Sequence, residues 1–271
     1  MCWDAPQVRA LIDLALREDI GEGDVTTDAC VGADATGSGY FLPKQSLVLA
    51  GTPLLLLLYA REDVRILHAD GETVRTGQVF ARVRGKVRRL LTLERTALNL
   101  LQRTCGVATL TREFVSAIEG TGCTVLDTRK TQPGMRIIDK LAVRAGGGTN
   151  HRLGLFDAIL IKNNHIDAAG GVREAVARSA SAGLPVEVEV RNFREIDEAL
   201  ACGVAHLLLD NFTPEQVGRA VPHIGGRAKI EVSGTIDLSS IRAYAEAGAD
   251  FASAGALTHS APAADISFRL D

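Results

Sequence analysis

The sequence has few aromatic residues: 8 Phe, 3 Tyr and 1 Trp make up 4% of its 271 residues. Proteins that bind single-stranded nucleic acid stack bases on such side chains, so their scarcity argues against that class. The formal net charge of −3 at pH 7 also argues against it, because nucleic-acid binders are usually strongly basic. We therefore expect no nucleic-acid partner.

Paired cysteines are also missing. The chain has 5 cysteines, at positions 2, 30, 105, 123 and 202, and no two of them form a C-x-x-C motif. The odd number and the spacing exclude an obvious disulfide framework or zinc site. Free thiols are typical of a reducing compartment, so the sequence predicts a cytoplasmic protein.

A hydrophobic run long enough to cross a membrane is absent. The longest apolar stretch, 47–60, contains Gly51, Thr52 and Pro53 and is shorter than the roughly 20 residues that a span requires. Its leucines, Leu54–Leu58, predict a buried helix. The first residues show neither the basic nor the apolar region of a secretory signal. We therefore expect no membrane association.

Positive charge is concentrated in one part of the chain. The window 95–162 holds ten Lys or Arg and five Asp or Glu, a local charge of +5 in a chain of −3. A charge run is most often a solvated face. Here the cations lie among glycines instead of along an amphipathic helix, which is typical of a cleft for a small, highly anionic ligand.

The second half of the chain alternates between two patterns. Short apolar runs predict strands over 124–127, 158–162, 186–190, 206–210, 228–233 and 250–254, and amphipathic segments between them predict helices over 172–181, 193–202, 214–220 and 239–247. Alternating strands and helices predict a parallel sheet. Because the runs recur every 21 to 27 residues and no G-x-G-x-x-G follows the first strand, an α/β barrel is favoured over a doubly wound sheet.

The first half has a different texture. Helical spacing predicts a helix over 6–18, and a turn-rich loop follows at 21–27. Alternating β-forming residues predict strands within 37–50 and 72–89. A helix is predicted over 91–118, with a break near Gly106, and we place a domain boundary in or just after it.

Polar side chains follow the predicted strands at the edge where barrels build their active sites. Cations there would neutralise carboxylates or phosphates, neighbouring acids would hold Mg²⁺, and small Gly-containing turns would bind a phosphate through backbone N–H groups. In chain order these segments are Asp127–Thr131, Lys162, Glu189, Asp210, Ser233–Thr235 and Ala254–Ala256.

Each of these residues also has a purely structural interpretation. Any single Arg or Lys is more often a surface charge or an ion-pair partner. Glu189 lies in the alternating strand VEVEV and is then an interior acid paired with Lys162. His151 and His165 are then hydrogen-bonded structural histidines.

These residues resemble those of the quinolinate phosphoribosyltransferase family, a type II phosphoribosyltransferase family. The most specific segment is DTRKTQPGMRIIDKLAVRAGGGTNHRLGLFDAILIKNNHI, residues 127–166. Further matches are GDVTT at 23–27, Glu94–Thr96 with Asn99, VEVEV, LLLDN, EVSGT and the tail Gly255–Ser260. The resemblance therefore covers almost the whole chain.

The resemblance implies an α/β fold of two domains. Residues 1–108 would form an N-terminal α/β sandwich on which the tail 262–271 packs, and residues 109–261 an incomplete, seven-stranded TIM-like α/β barrel. It also implies a homodimer in which the N-terminal domain of one subunit covers the barrel mouth of the other.

The resemblance further implies a set of site residues. Lys130, Lys162, Glu189 and Asp210 would be catalytic, with Glu189 and Asp210 holding Mg²⁺ directly or through water. Arg95 would come from the partner subunit, and Lys140 would lie on the phosphate side. The complete set of implied substrate-binding residues is Arg95, Thr128, Arg129, Lys130, Lys140, His151, Arg152, Lys162, Glu189, Asp210, Ser233, Gly234, Thr235, Ala254, Gly255 and Ala256. Asn163, Arg191 and Thr235 depart from the usual family pattern.

The implied reaction transfers the phosphoribosyl group of 5-phosphoribosyl 1-pyrophosphate to quinolinate with loss of CO₂, a step of NAD biosynthesis. Two other functions stay open at this point. One is a Schiff-base lyase or aldolase with Lys162 as its nucleophile, which leaves Glu189 and Asp210 without a role. The other is a non-catalytic relative that binds a phosphorylated ligand.

Overall fold

The computed structural model describes residues 1–271, and the chain forms two compact units. The first comprises Met1–Arg112, Thr131–Gly147 and Leu257–Asp271, and the second comprises Glu113–Lys130 and Gly148–Ala256. The segment Thr131–Gly147 thus belongs to the first unit, although it lies in the range that the sequence analysis gave to the barrel. No helix combines the length and the apolar character that crossing a membrane requires.

The strands are β1 (Thr36–Pro43), β2 (Leu47–Val48), β3 (Asp63–Ile66), β4 (Thr73–Val74), β5 (Ala81–Lys86), β6 (Thr124–Leu126), β7 (Ile159–Ile161), β8 (Val186–Val190), β9 (His206–Asp210), β10 (Lys229–Ser233), β11 (Phe251–Ser253) and β12 (Ile266–Leu270). The helices are α1 (Pro6–Ile20), α2 (Val25–Cys30), α3 (Thr52–Leu58), α4 (Val87–Ala117), α5 (Arg136–Ala145), α6 (Asn163–Ala169), α7 (Val172–Ser179), α8 (Phe193–Ala201), α9 (Pro214–Ile224), α10 (Ile241–Glu246) and α11 (Ala256–His259).

The first unit is built on an antiparallel sheet with the strand order β12-β1-β5-β3, and β2 pairs with β4 separately. Phe41 of β1 lies opposite Phe268 of β12, so the end of the chain completes this sheet. The rings of Phe41, Tyr59, Phe80 and Phe268 meet in the core. Large aromatic side chains of this kind supply much of the apolar area that holds a small core together.

The leucine run forms α3, as predicted. Leu54, Leu55 and Leu58 are buried and Leu56 is exposed, so one face of a short helix packs on the core. The carboxylate of Asp70 accepts hydrogen bonds from the backbone N–H groups of the first residues of this helix, which have no partner within it.

Two predictions for the first unit are wrong. The segment 21–27 is not a loop throughout, because Asp24 caps α2 by accepting from Thr27 N at 2.9 Å. Helix α4 does not break at Gly106. A Cβ added at Gly106 would lie 2.0 Å from Pro262 O, so this glycine allows the C-terminal segment to approach the helix backbone.

The second unit is built on a parallel sheet with the strand order β6-β11-β10-β9-β8-β7. Its six strands fall where the sequence predicts them, and the predicted α/β class is confirmed. The predicted seventh strand is reduced to a single parallel bridge between Leu126 and Thr149. The neighbouring glycines, Gly146–Gly148 and Gly154, explain this, because glycine disfavours extended strands.

Candidate active site

The carboxyl ends of the parallel strands place polar side chains at one edge of the second unit. Asp127, directly after β6, is fully buried and accepts hydrogen bonds from His151 N at 2.9 Å and Asn150 Nδ2 at 2.6 Å. One buried carboxylate therefore fixes the segment that follows Thr149. The sequence analysis included Asp127 among the strand-end residues without giving it this role.

The strand ends surround a cleft of about 360 Å³. The cleft brings together most of the residues that the sequence analysis selected. The predicted residues that line it are Thr128, Arg129, Lys130, His151, Arg152, Lys162, Glu189, Asp210, Ser233, Gly234, Thr235 and Gly255. Other residues that line it are Leu160, Leu208, Asn211, Glu231 and Ser253.

Two arginines of the cleft, Arg129 and Arg152, repel each other through their like charges. Arg129 Nε is buried and has no hydrogen-bond partner. Arg152 donates from Nη1 to Ala158 O at 3.0 Å. Burial lowers the pKa of Arg152, and the like charge of Arg129 lowers it further. Arg129 thus offers a buried donor without an acceptor, next to a second positive charge. Such a cleft is suited to bind an anion.

Two acids lie opposite these cations, on the adjacent strands β8 and β9. Lys162 Nζ lies 3.8 Å from Glu189 Oε2, so the predicted pairing of these two side chains is present. Burial raises the pKa of Glu189; Lys162 opposes this shift and Asp210 adds to it. Asp210 Oδ1 accepts from Ser233 Oγ at 3.1 Å, and its Oδ2 accepts from Asn211 Nδ2 at 3.0 Å.

A tight turn closes the end of the cleft after β10. Gly234 has φ +126°, and a Cβ there would lie 2.6 Å from Asn211 Oδ1. Asn211 itself has φ 57°, the left-handed conformation that Asn tolerates better than most residues. The glycine thus lets two loops approach each other. Asn211 was present in the LLLDN motif, but nothing in its type marked it as a cleft residue.

The predicted residues after β11 behave differently from one another. Gly255 lines the cleft, whereas Ala254 is buried and its N–H donates to Leu126 O at 3.0 Å. The amide of Ala254 is therefore occupied within the sheet and does not point at a phosphate. Ala256 begins the short helix α11 and is not among the residues that line the cleft.

Two predicted site residues belong to the first unit. Arg95 is exposed on α4, and Lys140 is fully buried on α5. Among the residues that depart from the family pattern, Arg191 pairs with Glu195 at 2.6 Å and does not line the cleft. His165 Nδ1 accepts from Lys162 N at 2.9 Å, which supports its structural interpretation.

Next to His151 lies a group of mostly buried polar residues that were not predicted from sequence. Glu187 and Glu231 are 6% and 0% exposed, and His151, His206 and Ser253 contact them. Alternation in VEVEV was the available signal for Glu187, because it places Glu187 and Glu189 on one face of β8. We call these five residues the buried cluster.

Comparison with known proteins gives consistent matches along the chain. The family models described as "Quinolinate phosphoribosyl transferase, N-terminal domain" and "C-terminal domain" match residues 24–105 and 107–269. A nicotinate-nucleotide pyrophosphorylase (carboxylating) of Mycobacterium leprae is 42% identical, covering 97% of this chain and 96% of its own. A chloroplastic one of Arabidopsis thaliana is 39% identical, covering 97% and 83%.

Solved structures agree with these matches. The nicotinate-nucleotide pyrophosphorylase of Francisella tularensis superimposes with a TM-score of 0.94 at 38% identity, covering 99% of this chain and 98% of its own. A structure titled NadC from Streptococcus pyogenes gives a TM-score of 0.93 at 39% identity, covering 98% and 96%. These similarities extend over both units of the chain.

Proposed function

The chain belongs to the quinolinate phosphoribosyltransferase family, and we propose that its basic cleft is the place where the family's reaction occurs. It is an enzyme that transfers the phosphoribosyl group of 5-phosphoribosyl 1-pyrophosphate to quinolinate. The products are nicotinate mononucleotide, pyrophosphate and CO₂, and the reaction belongs to NAD biosynthesis.

The unpaired, buried Nε of Arg129 is the observation that carries the assignment of the cleft. A buried donor without an acceptor is costly, and so is the repulsion between Arg129 and Arg152. A carboxylate of quinolinate would supply the missing acceptor, and the two carboxylates together would balance the charges of both guanidinium groups. Lys130, which lines the same cleft, extends this basic surface.

The acids and lysines have complementary roles in the proposed mechanism. The ring nitrogen of quinolinate attacks ribose C1 as the bond to pyrophosphate breaks. Lys130 and Lys162 stabilise the negative charge that develops on pyrophosphate, while Glu189 and Asp210 accept hydrogen bonds from the ribose hydroxyls. No covalent nucleophile is required, because the residues mainly position and neutralise the substrates.

Phosphoribosyl transfer leaves a positive charge on the ring nitrogen, and this charge makes decarboxylation possible. Once the ring nitrogen is bonded to ribose it is a pyridinium, which accepts the electron pair released when the 2-carboxylate leaves as CO₂. C2 then takes up one proton, and the nicotinate ring is restored.

We assign Mg²⁺ to Glu189 and Asp210. Their carboxylates supply the oxygen ligands that Mg²⁺ prefers, and they come from two strands that pair with each other. Burial is the main cause of the raised pKa of Glu189 and the negative charge of Asp210 adds to it, so a divalent cation between the two carboxylates would favour their charged forms. When bound, Mg²⁺ would lower the cost of charge on the departing pyrophosphate.

The 5-phosphate is assigned to the turns that follow β10 and β11. Ser233, Gly234 and Thr235 form the turn after β10, and Gly255 follows β11. These small residues allow backbone N–H groups to approach phosphate oxygens closely. Thr235 adds a hydroxyl donor at this end.

We further propose that the active enzyme is a homodimer with sites shared between subunits. Arg95 is exposed on α4 and, by resemblance to the family, would enter the cleft of the second subunit. The resemblance also gives Lys140 a place on the phosphate side of the site. The five unpaired cysteines support a cytoplasmic location.

A comparison of quinolinate with nicotinate tests the proposed use of the cleft. Both are offered with 5-phosphoribosyl 1-pyrophosphate and Mg²⁺, and mononucleotide formation is measured. Because the basic surface matches two carboxylates, quinolinate should be turned over at least about a hundredfold more efficiently. Equal turnover of the two acids would contradict the assignment. Trapping of a substrate on Lys162 by borohydride would instead support a Schiff-base lyase.

A further inference from the structure

The buried cluster has the composition of a metal site but not its hydrogen bonding. His151 Nε2 lies 3.0 Å from Glu187 Oε2 and 3.5 Å from Glu231 Oε1. His206 Nε2 lies 3.2 Å from Glu231 Oε2, and Ser253 Oγ donates to Glu231 Oε1. One nitrogen and two carboxylate oxygens of His151, Glu187 and Glu231 lie within 4.8 Å of one another, as they would around a divalent cation.

The tautomer of His151 shows whether the buried cluster is a metal site or a hydrogen-bonded network. The backbone N–H of Arg152 donates to His151 Nδ1 at 2.7 Å, so Nδ1 carries the lone pair and Nε2 carries the proton of the neutral ring. A metal would need the lone pair of Nε2. Instead, Nε2–H donates to Glu187 Oε2, and the cluster is a hydrogen-bonded network.

Glu187 has a second relation to the cleft, through His151. The ring of His151 accepts from the backbone N–H of Arg152 at Nδ1 and donates to Glu187 from Nε2, so two hydrogen bonds connect Glu187 to Arg152. The charge of Glu187 also raises the pKa of Arg152, in opposition to burial and to the like charge of Arg129, which lower it. Glu187 Oε1 is buried and has no hydrogen-bond partner, so half of this carboxylate is left without a donor to compensate it.

We propose that Glu187 is a positioning residue for substrate recognition. It holds His151 in the Nε2–H tautomer, and the Nδ1 lone pair of that tautomer in turn accepts from the backbone N–H of Arg152 and so positions Arg152 in the cleft. Glu187 acts through these two residues and need not touch substrate. The inference rests on the proposed function of the cleft, because it assumes that Arg129 and Arg152 bind a carboxylate.

Two substitutions separate the hydrogen bond that Glu187 accepts from the negative charge that it carries. Glu187→Gln keeps an oxygen that can accept from His151 Nε2–H but removes the charge, whereas Glu187→Ala removes both. Glu195→Gln is the matched control, since Glu195 is also a buried acid of the second unit but pairs with Arg191 away from the cleft. For each variant, KM is measured for both substrates, and ¹⁵N NMR reads the tautomer of His151, with His151→Gln identifying its signals.

Wild-type protein should show an unprotonated Nδ1 and a protonated Nε2. Glu187→Gln should keep this signature and change KM for quinolinate by less than about threefold, because its amide oxygen still accepts from His151 Nε2–H. Glu187→Ala should lose the signature and raise KM for quinolinate by more than about tenfold. KM for 5-phosphoribosyl 1-pyrophosphate should change by less than about twofold in both, and Glu195→Gln should match wild type.

Three results would overturn the inference. In the first, Glu187→Ala keeps both the His151 signature and the KM for quinolinate. In the second, both KM values rise together, as general disruption of the cleft would cause. In the third, dialysis against a chelator changes the His151 signature, which would identify a metal site. Failure of the proposed function is distinct, because wild-type protein would then form no nucleotide from quinolinate.

Discussion

Replacing Arg129 with alanine should lower the activity of the enzyme without lowering its free energy of unfolding. In the ligand-free cleft, Arg129 Nε is buried without a partner and its charge repels Arg152. Arg129 therefore contributes little to folding. The guanidinium of Arg129 contributes favourable free energy only when a substrate carboxylate accepts its hydrogen bond.

The magnitudes follow from these two states. A hydrogen bond to a charged group contributes about 1.5–3 kcal/mol, so Arg129→Ala should lower kcat/KM for quinolinate by about 10-fold to 150-fold. The free energy of unfolding should change by less than about 0.5 kcal/mol or increase, because an unpaired donor and a repulsion are removed together. Arg129→Lys should recover only part of the activity, since it restores charge but not the planar guanidinium.

Initial rates of CO₂ release over a range of quinolinate concentrations, with urea denaturation beside them, measure both quantities. Arg194→Ala is the control, because it removes the same charge from an exposed side chain, which pairs with Glu198 at 3.5 Å and does not line the cleft. It should leave kcat/KM within about twofold of wild type. The reasoning is refuted if Arg129→Ala loses no more activity than Arg194→Ala, or if its activity falls only because the protein unfolds.

Further predictions concern packing, metal and assembly. Gly106→Ala should lower the free energy of unfolding by about 1–3 kcal/mol in urea denaturation, because its Cβ would meet a backbone carbonyl at 2.0 Å. Gly218→Ala, in α9 with open space around the added Cβ, should instead raise the free energy of unfolding by about 0.5–1 kcal/mol. A lower free energy of unfolding in this variant would show that helix propensity does not determine the effect. Asp210→Asn should raise the Mg²⁺ concentration needed for half-maximal rate by about tenfold, and an unchanged requirement would show that Asp210 is structural. Co-refolding inactive Arg95→Ala and Lys130→Ala chains in equal amounts should restore about a quarter of the sites, whereas sites built within one chain would show no recovery.

The sheet of the second unit could be predicted from sequence because every strand is a short apolar run at nearly constant spacing. The seventh strand that the resemblance implies has no such run, because the residues around Thr149 are rich in glycine, and contacts with β6 and Asp127 determine their conformation. Gly106 was misread for a related reason. A glycine in a helical pattern looks like a break until the segment that packs against it is known.

Much of the candidate site could be predicted by a topological rule. Parallel strands end at one edge, so Arg129, Lys162, Glu189 and Asp210 were selected from position and charge alone. Glu187 was not selected, because an acid in the interior of a strand shows its partners only in three dimensions. Ala254 was selected from its place in a small-residue turn, and the hydrogen bond that occupies its amide depends on a neighbouring strand.

The central claim is that this cleft joins quinolinate to ribose and removes one carboxylate. Quinolinate labelled with ¹⁴C in its 2-carboxylate, incubated with 5-phosphoribosyl 1-pyrophosphate and Mg²⁺, tests it most directly. The account predicts labelled CO₂, pyrophosphate and unlabelled nicotinate mononucleotide in equal amounts, with all three falling together in Arg129→Ala. Retention of the label in the nucleotide, or CO₂ release without 5-phosphoribosyl 1-pyrophosphate, would contradict it.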